Sequence, residues 1–324
     1  MRTIAVEEHF VTPGFMQGPG KGFLDRFKNS GRRGALIAER LSEMGDKRVA
    51  EMDAAGIDVQ VLSLNSPGVE QAEPAEAIAC ARDANDVLAD AIKRHAGRFV
   101  GLASLPIQAP DEAAKELERC VRMLGFKGTN INGHTRGRYL DDPFFSPILA
   151  CADALQVPIY LHPTVPHKPV ADALYGGFSP AVTGVLAGSG WGWHIETAVH
   201  LLRMILGGIF DRHPKLQVVI GHMGEAIPFM LPRMNRNLSP EVTKLSRSFA
   251  NYLRQNVHYS FGGFNFTPTF LNLLLEVGVD RIMFSADYPY GSMEEARSFL
   301  QHLPVSESDR ARIAHGNAER LFKL

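Results

Sequence analysis

Five ionisable side chains follow short apolar runs, a position from which residues on buried strands could act together chemically. Glu7 and His9 end the run IAVEEHF, His162 ends IYLH, His222 follows VVIG and Asp287 follows MFSA. Glu7, His9, His162 and Asp287 would supply two nitrogen and two oxygen donors, which suit a divalent ion such as Zn²⁺ or Mn²⁺. A single histidine in such a place is more often structural, so the predicted metal site depends on all four residues meeting.

Strand alternation separates the two neighbouring acids of the first run. Successive side chains of a strand point to opposite faces, so Glu7 and His9 should share one face and Glu8 the other. We therefore expect Glu7 and His9 to face the metal. Glu8 should face the surrounding helices, where a hydrogen bond or an ion pair would hold it.

The stretch GHMGE after the sixth apolar run has the spacing of an acid–base pair. Glu225 lies three residues after His222, in the predicted first turn of the following helix, and could orient the imidazole and raise its basicity. Alternatively, Glu225 only stabilises the helix N-terminus. Arg233 lies further along the same helical stretch and could hold a carboxylate in two hydrogen bonds, although a solvated surface arginine is the more ordinary interpretation.

The elements that must position these residues are eight apolar runs, each followed by a helical pattern. Continuous apolar strands that alternate with helices are typical of parallel sheets, and eight such units predict an α/β fold of the (β/α)8 TIM barrel type. An open doubly wound sheet is less favoured, because no GxGxxG follows any run. We expect a single domain over residues 1–324, with the ionisable residues at the carboxyl ends of the strands.

Two long segments interrupt this alternation, one after the first strand and one after the fifth. They span residues 11–35 and 164–193, and both are rich in glycine and carry aromatic residues. Because both follow strands, they should cover the end of the barrel where active sites form, and we predict that they act as lids. His167 and His194 lie in or at the end of the second segment and could contact a substrate, although an ordinary polar role is favoured.

The overall composition excludes several classes of partner. The chain has 34 basic and 35 acidic residues and a net charge of −1, so no broad basic field would attract nucleic acid or anionic lipid. No apolar run is long enough to span a membrane, and the N-terminus lacks the features of a signal peptide. The cysteines, Cys80, Cys120 and Cys151, share no metal-binding or disulfide spacing. We expect a soluble, cytoplasmic protein.

These motifs, taken together, resemble the amidohydrolase superfamily. The matching stretches are Glu-x-His on strand one, LHP on strand five, GHMGE on strand six and FSADYP on strand eight. More narrowly, the chain resembles the metal-dependent, non-oxidative decarboxylases related to aminocarboxymuconate-semialdehyde decarboxylase, above all the γ-resorcylate (2,6-dihydroxybenzoate) type. The resemblance covers almost the whole chain.

The resemblance implies a role for each matching residue. Glu7, His9, His162 and Asp287 match the metal ligands, and His222 with its partner Glu225 matches a catalytic pair. The residues that match substrate contacts are Arg233 for the carboxylate, Phe23 for the aromatic ring and Asn132 for a polar group near the pocket. Classical hydrolases of the superfamily carry His-x-His on strand one, and many carry a lysine on strand four that bridges two metal ions. This chain carries Glu-x-His instead, and Lys127 lies at the start of strand four, away from the bridging position. A single divalent ion, Zn²⁺ or Mn²⁺, is therefore expected.

The activity that the resemblance implies is decarboxylation of an ortho-hydroxybenzoate of the γ-resorcylate, 2,3-dihydroxybenzoate or salicylate type, reversible with bicarbonate. Asp287 would protonate the ring carbon that carries the carboxylate, and His222 would position the ortho oxygen. The alternatives are a metal-dependent hydrolase of a lactone or amide, and a barrel without catalytic activity that serves as an interaction module. The resemblance also implies a homodimer or homotetramer.

Overall fold

The structure, a computed structural model, describes residues 1–22 and 31–324. Its centre is a set of parallel strands in chain order. The strands are β1 (Ile4–Phe10), β2 (Val59–Leu64), β3 (Phe99–Gly101), β4 (Thr129–Asn132), β5 (Ile159–His162), β6 (Val218–Ile220), β7 (Val257–Ser260) and β8 (Ile282–Met283).

The helices of the described residues lie between and after these strands. They are α1 (Pro13–Gln17), α2 (Gly31–Ser42), α3 (Asp46–Ala55), α4 (Pro74–Arg94), α5 (Pro110–Met123), α6 (Ser146–Leu155), α7 (Lys168–Tyr175), α8 (Pro180–Ala187), α9 (Gly192–Leu206), α10 (Ile209–Arg212), α11 (Ile227–Asn237), α12 (Pro240–Thr243), α13 (Phe249–Gln255), α14 (Thr267–Val277), α15 (Met293–Gln301), α16 (Glu307–Ala311) and α17 (Asn317–Phe322). None of the described helices combines the length and the apolar character needed to cross a bilayer.

Local sequence signals account for many helix boundaries. Proline occupies the first position of α4 and of α5, where its missing N–H costs no helical hydrogen bond. Ser179 and Ser292 cap α8 and α15 through their hydroxyl oxygens. Gly56 ends α3 in the left-handed conformation, with φ of 72°.

Backbone hydrogen bonds close the strands into a barrel. The regular ladders form two groups, β1 to β3 and β4 to β8. Single bonds between the flanking residues join the groups at both seams. They run from Lys127 N to Gly101 O (3.0 Å) and from Asn130 N to Ala103 O (3.0 Å) between β3 and β4, and from Val6 N to Phe284 O (3.0 Å) and from His9 N to Tyr288 O (2.9 Å) between β8 and β1. The predicted (β/α)8 fold is therefore confirmed.

The strands are buried on both faces, which explains their continuous apolar sequences. One apolar cluster fills the barrel interior towards the amino-terminal ends of the strands, and α17 covers it. Its members from the strands and their ends include Ile4, Val6, Val59, Val61, Leu102, Tyr160, Val219 and Met283, and α17 contributes Ala318 and Phe322. A second and larger cluster lies between the strands and the helices.

A bulge in β1 changes which of its residues face the barrel interior. Ala5 pairs with Gln60 and Glu8 pairs with Leu62, so three steps along β1 match two steps along β2. The additional residue allows Val6 to join the interior cluster while the next residue, Glu7, also points inward. Beyond the bulge, alternation places Glu7 and His9 on the inner face and Glu8 on the outer face.

The long segments after β1 and β5 contain short helices rather than open loops. The first holds α1 and the start of α2, and the second holds α7 and α8. Phe15 and Tyr175 are buried within these segments, whereas Phe178 and Trp191 are exposed. The lid function of the two segments remains a prediction.

Candidate active site

The four predicted metal ligands converge at the carboxyl end of the barrel. β1 carries Glu7 and His9, His162 is the last residue of β5, and Asp287 follows β8. Donor atoms of Glu7, His9 and His162 lie within 4.8 Å of one another. The Nε2 atom of His9 is 3.2 Å from Oδ1 of Asp287. The structure thus brings together in one place residues that are up to 280 positions apart in the chain.

Unpartnered donor atoms in this cluster fit a divalent cation. Within the described residues, Oε1 of Glu7 and Nε2 of His9 are buried and have no hydrogen-bond partner. Nδ1 of His162 lies 2.9 Å from the backbone oxygen of Pro163, a geometry that leaves the lone pair of Nε2 free when Nδ1–H donates. Burial lowers the pKa of His9 to about 4 and that of His162 to about 3, so both imidazoles are neutral, as metal ligands must be.

Glu7 is held by neighbours that favour its ionised form. Ser260 on β7 donates a hydrogen bond to Oε2 of Glu7, and the hydroxyl of Tyr160 lies 2.9 Å from that of Ser260. Burial alone would raise the pKa of Glu7, but His222 and His162 and the bond from Ser260 hold it below its ordinary value. A Cβ atom at Gly221 would collide with the carboxylate of Glu7, so this position needs glycine.

His222 and Glu225 form the predicted pair, but Glu225 does not lie in a helix. It precedes α11, in the left-handed conformation with φ of 54°, and follows a short 3-10 turn over His222–Gly224. This tight turn, rather than a helical i to i+3 relation, brings Oε1 of Glu225 to 2.7 Å from Nδ1 of His222. Burial would lower the pKa of His222, yet the Glu225 and Glu7 carboxylates raise it to about 10.

His194 completes this pair, although the sequence favoured an ordinary polar role for it. It lies in the first turn of α9, and its Nδ1 is 2.6 Å from Oε2 of Glu225. The carboxylate of Glu225 therefore binds one imidazole with each oxygen. Phe264 packs against both rings, with centroid distances of 5.3 Å to His194 and 5.5 Å to His222. The contact depends on the path of the segment after β5, which no local pattern in the sequence reveals.

The outward-facing Glu8 anchors the segment that carries Asp287. Its two oxygens accept hydrogen bonds from the backbone N–H groups of Ala286 (2.8 Å) and Tyr288 (3.0 Å). Arg48 of α3 lies on the same side and donates to the backbone oxygen of His9 at 2.7 Å. Burial is the main reason that the pKa of Glu8 rises, to about 8. The expected hydrogen bonds of Glu8 are thus present. They join the end of β1, which carries Glu7 and His9, to the segment after β8 that carries Asp287.

Asp287 itself is in a restricted conformation. Its φ is 61°, and its backbone oxygen accepts hydrogen bonds from the N–H groups of Tyr290 and Gly291, both at 2.8 Å. Burial and the nearby charge of Glu7 raise the pKa of Asp287 well above its ordinary value. In these surroundings the carboxyl group of Asp287 favours its neutral form, whereas a cation bound at this cluster would favour the ionised form.

Asn132 lies at the end of β4, opposite His162 in the strand register. Its backbone N–H and its side-chain amide both donate to Oε1 of Glu70, at 2.7 and 3.1 Å. Burial raises the pKa of Glu70 to about 7, and its Oε2 atom has no partner among the described residues. No sequence pattern marks Glu70, because it lies in an irregular segment after β2.

Two predicted substrate contacts are not part of the described cluster. Arg233 is exposed on α11, and no hydrogen bond or ion pair within residues 1–22 and 31–324 joins it to the cluster. Phe23 lies outside the described residues. His167, in the segment after β5, packs its ring 5.6 Å from that of His134. The roles of Arg233 and Phe23 remain predictions.

The sequence and the fold match one group of known proteins. The profile of the Amidohydrolase family matches residues 7–324. A γ-resorcylate decarboxylase from Rhizobium radiobacter is 39% identical over 99% of this chain and 98% of its own length. A 2,6-dihydroxybenzoate decarboxylase solved with 2,6-dihydroxybenzoate has a TM-score of 0.91 and 38% identity, with both chains fully covered. A 5-carboxyvanillate decarboxylase from Novosphingobium aromaticivorans, solved with manganese and a nitrobenzoic acid, has a TM-score of 0.92 and 35% identity over 100% of this chain and 96% of its own.

Proposed function

The chain belongs to the amidohydrolase family, and we propose that it catalyses the metal-dependent, non-oxidative decarboxylation of an ortho-hydroxybenzoate. The observation that carries this proposal is the buried set of Glu7, His9, His162 and Asp287 in a chain that resembles hydroxybenzoate decarboxylases over its whole length. The substrate belongs to the γ-resorcylate, 2,3-dihydroxybenzoate or salicylate type.

These four residues would hold one divalent ion, Mn²⁺ or Zn²⁺. Oε1 of Glu7 and Nε2 of His9 have no hydrogen-bond partner among the described residues and can act as donor atoms, and the relative from Novosphingobium was solved with manganese. A divalent ion in this position supplies Lewis-acid polarisation and a template for the oxygens of an aromatic carboxylate. The remaining steps depend on the side chains of the protein.

Asp287 is the proposed proton donor. Protonation of the ring carbon that carries the carboxylate interrupts the aromatic system, and cleavage of the bond to the carboxylate carbon then restores it as CO₂ leaves. Glu8 fixes the backbone on both sides of Asp287, which holds its carboxyl group in place for this transfer. In the reverse direction, at high bicarbonate, the same carboxylate would receive the proton that the phenol ring loses.

His222 orients the ortho oxygen of the substrate in this proposal. Glu225 holds Nδ1 of His222 at 2.7 Å, and His194 holds the other oxygen of Glu225 at 2.6 Å. This arrangement keeps the imidazole charged and fixed, so its Nε2–H group is available as a hydrogen-bond donor. From the family resemblance, Arg233 would bind the substrate carboxylate, Phe23 would pack on the ring and Asn132 would contribute to the pocket wall.

A substrate screen with metal analysis tests this proposal. The metal content of the purified enzyme is measured, and the chelated protein is reloaded with Mn²⁺ or Zn²⁺ before incubation with 2,6-dihydroxybenzoate, 2,3-dihydroxybenzoate, salicylate and simple lactones. We expect metal-dependent release of CO₂ from at least one hydroxybenzoate. Lactone opening without any CO₂ release would contradict the proposal in favour of hydrolysis, and a protein without affinity for either metal would favour a non-catalytic role.

We also propose that the chain forms a homodimer or homotetramer. Large apolar side chains are exposed on the helices after β5 and on α11, including Leu174 (65% exposed), Val185 (64%) and Phe229 (77%). Apolar side chains in this number on one end of a barrel are typical of an interface. Light scattering on the eluting protein should give a multiple of 35.6 kDa. A monomer at micromolar concentration would contradict this proposal.

A cytoplasmic location is a further proposal. Cys80, Cys120 and Cys151 are free thiols, which suits a reducing compartment. Cell fractionation with a tagged full-length chain should recover the protein with cytoplasmic markers. Recovery with an extracellular or membrane fraction would contradict it.

A further inference from the structure

A cavity of about 490 Å³ lies at the end of the barrel opposite the active site. Its lining comes from residues that precede or begin the later strands and from the C-terminal helix α17. Because the strands are parallel, these residues share the amino-terminal end of the barrel. The charged and histidine side chains of the lining are Lys215, His258, Asp280, Arg281, Arg320 and Lys323.

Within the part of the chain that the structure describes, the cations of this cavity form no ion pair with a carboxylate. Arg281 donates to the side-chain oxygen of Gln217 (3.1 Å) and to Nε2 of His258 (3.0 Å), both neutral acceptors. Arg320 donates to a backbone oxygen and to the side chain of Asn317. The remaining cations, Lys215 and Lys323, likewise form no ion pair within residues 1–22 and 31–324, and Lys323 donates only to a backbone oxygen.

Asp280 supplies one negative charge against the four cations of the lining, and its carboxylate also lies 3.5 Å from Arg312, which is outside the lining. Other arginines of the protein behave differently. Arg203 forms a close pair with Asp141, and Arg119 binds both Asp86 and Glu116. The cavity therefore concentrates positive charge that the described part of the chain leaves uncompensated, an arrangement that favours an anion.

A buried donor in the same cavity lacks a partner. His258 is 4% exposed, and its Nε2 accepts a hydrogen bond from Arg281, so its single proton belongs on Nδ1. Nδ1 has no hydrogen-bond partner among the described residues. This nitrogen is shielded from solvent, so His258 contributes to the cavity through its hydrogen bond with Arg281.

We propose that this cavity is a binding site for a phosphate oxyanion, free or as part of a small phosphorylated molecule. Guanidinium groups such as those of Arg281 and Arg320 match the oxygen geometry of phosphate, and Lys215 and Lys323 add positive charge at the exposed rim. The volume exceeds that of one phosphate ion, so it also accommodates an attached organic group. The site is separate from the metal ligands and does not depend on the proposed decarboxylation.

Titration of the metal-loaded enzyme at constant ionic strength tests the proposal. The probes are inorganic phosphate and glycerol phosphate, with chloride as the control for ionic strength, and binding is measured by calorimetry and by thermal stability. We expect saturable binding of at least one probe. Tighter binding of glycerol phosphate would identify a phosphorylated ligand, and equal binding would identify free phosphate.

Three single variants locate the site. Arg320→Gln and Lys215→Gln remove exposed cations of the cavity. As the matched control, Arg82→Gln removes an exposed cation of α4 that forms no ion pair with any described residue. We expect the first two to raise the dissociation constant about tenfold, the effect of losing one charged contact, and the control to leave it unchanged. Absence of saturable binding to the wild-type enzyme, or equal binding by all three variants, would overturn the proposal.

Discussion

Replacement of Glu8 by glutamine tests whether the outer face of β1 supports the metal site. The carboxylate accepts backbone hydrogen bonds from Ala286 and Tyr288, on both sides of Asp287. A glutamine side chain has one oxygen, so it can accept from one N–H group while its own amide faces the other.

The expected loss of stability follows from these contacts. One unsatisfied buried N–H costs about 1–3 kcal/mol. We therefore expect a loss of about 1–3 kcal/mol in the free energy of unfolding. Displacement of Asp287 should also lower kcat, by up to about a hundredfold for a shift of about 1 Å.

Urea unfolding followed by circular dichroism measures the first effect, and CO₂ release measures the second. The matched control is Glu51→Gln, which alters a half-exposed carboxylate that accepts a bond from the Tyr288 hydroxyl. We expect the control to lose less than about 1 kcal/mol, as is common for exposed contacts. A Glu8→Gln enzyme with the unfolding midpoint and kcat of the wild type would refute the proposed support of Asp287 by Glu8.

Further predictions concern other positions. Asp287→Asn should abolish CO₂ release with an unchanged circular dichroism spectrum, and residual activity would refute its role as proton donor. Arg233→Ala should mainly raise KM, and an unchanged KM would contradict its proposed contact with the substrate carboxylate. His194→Phe should lower kcat about tenfold or more by releasing Glu225, whereas wild-type kcat would assign His194 a structural role. Burial lowers the pKa of His258 to about 3. Stability from this residue is therefore present above pH 6.5 and lost as the pH falls towards 3, and His258→Gln should reduce the pH dependence of unfolding by about 1.4 kcal/mol per pH unit in that range.

Much of the site could be predicted because its residues follow strands. The carboxyl ends of parallel strands meet at one end of a barrel, so Glu7, His9, His162 and Asp287 had to converge once the barrel was inferred. Alternation then separated Glu8 from its neighbours correctly. Apolar runs and strand alternation, which are short-range patterns, together with the common direction of parallel strands are enough to place these residues.

The parts that could not be predicted depend on irregular backbone or on pairing between strands. His194 and Glu70 reach the site from segments whose path is set by tertiary packing, and neither has a local motif. Glu225 was expected in a helix, but left-handed residues delay the start of α11 until Ile227. The bulge in β1 is visible only in its register with β2.

The bulge in β1 has a consequence for altering this protein. Val6 is the last residue of β1 in the apolar interior cluster, and Glu7 is the first residue of the active site. One peptide bond therefore separates the residue that packs the core from the residue that would bind the metal. Ile4 and Val6 can therefore be repacked to adjust stability without changing the direction of Glu7 or His9. Deletion of one residue at the bulge would couple the two functions. In a regular strand, Ile4 and Val6 could not face the interior together with Glu7 and His9.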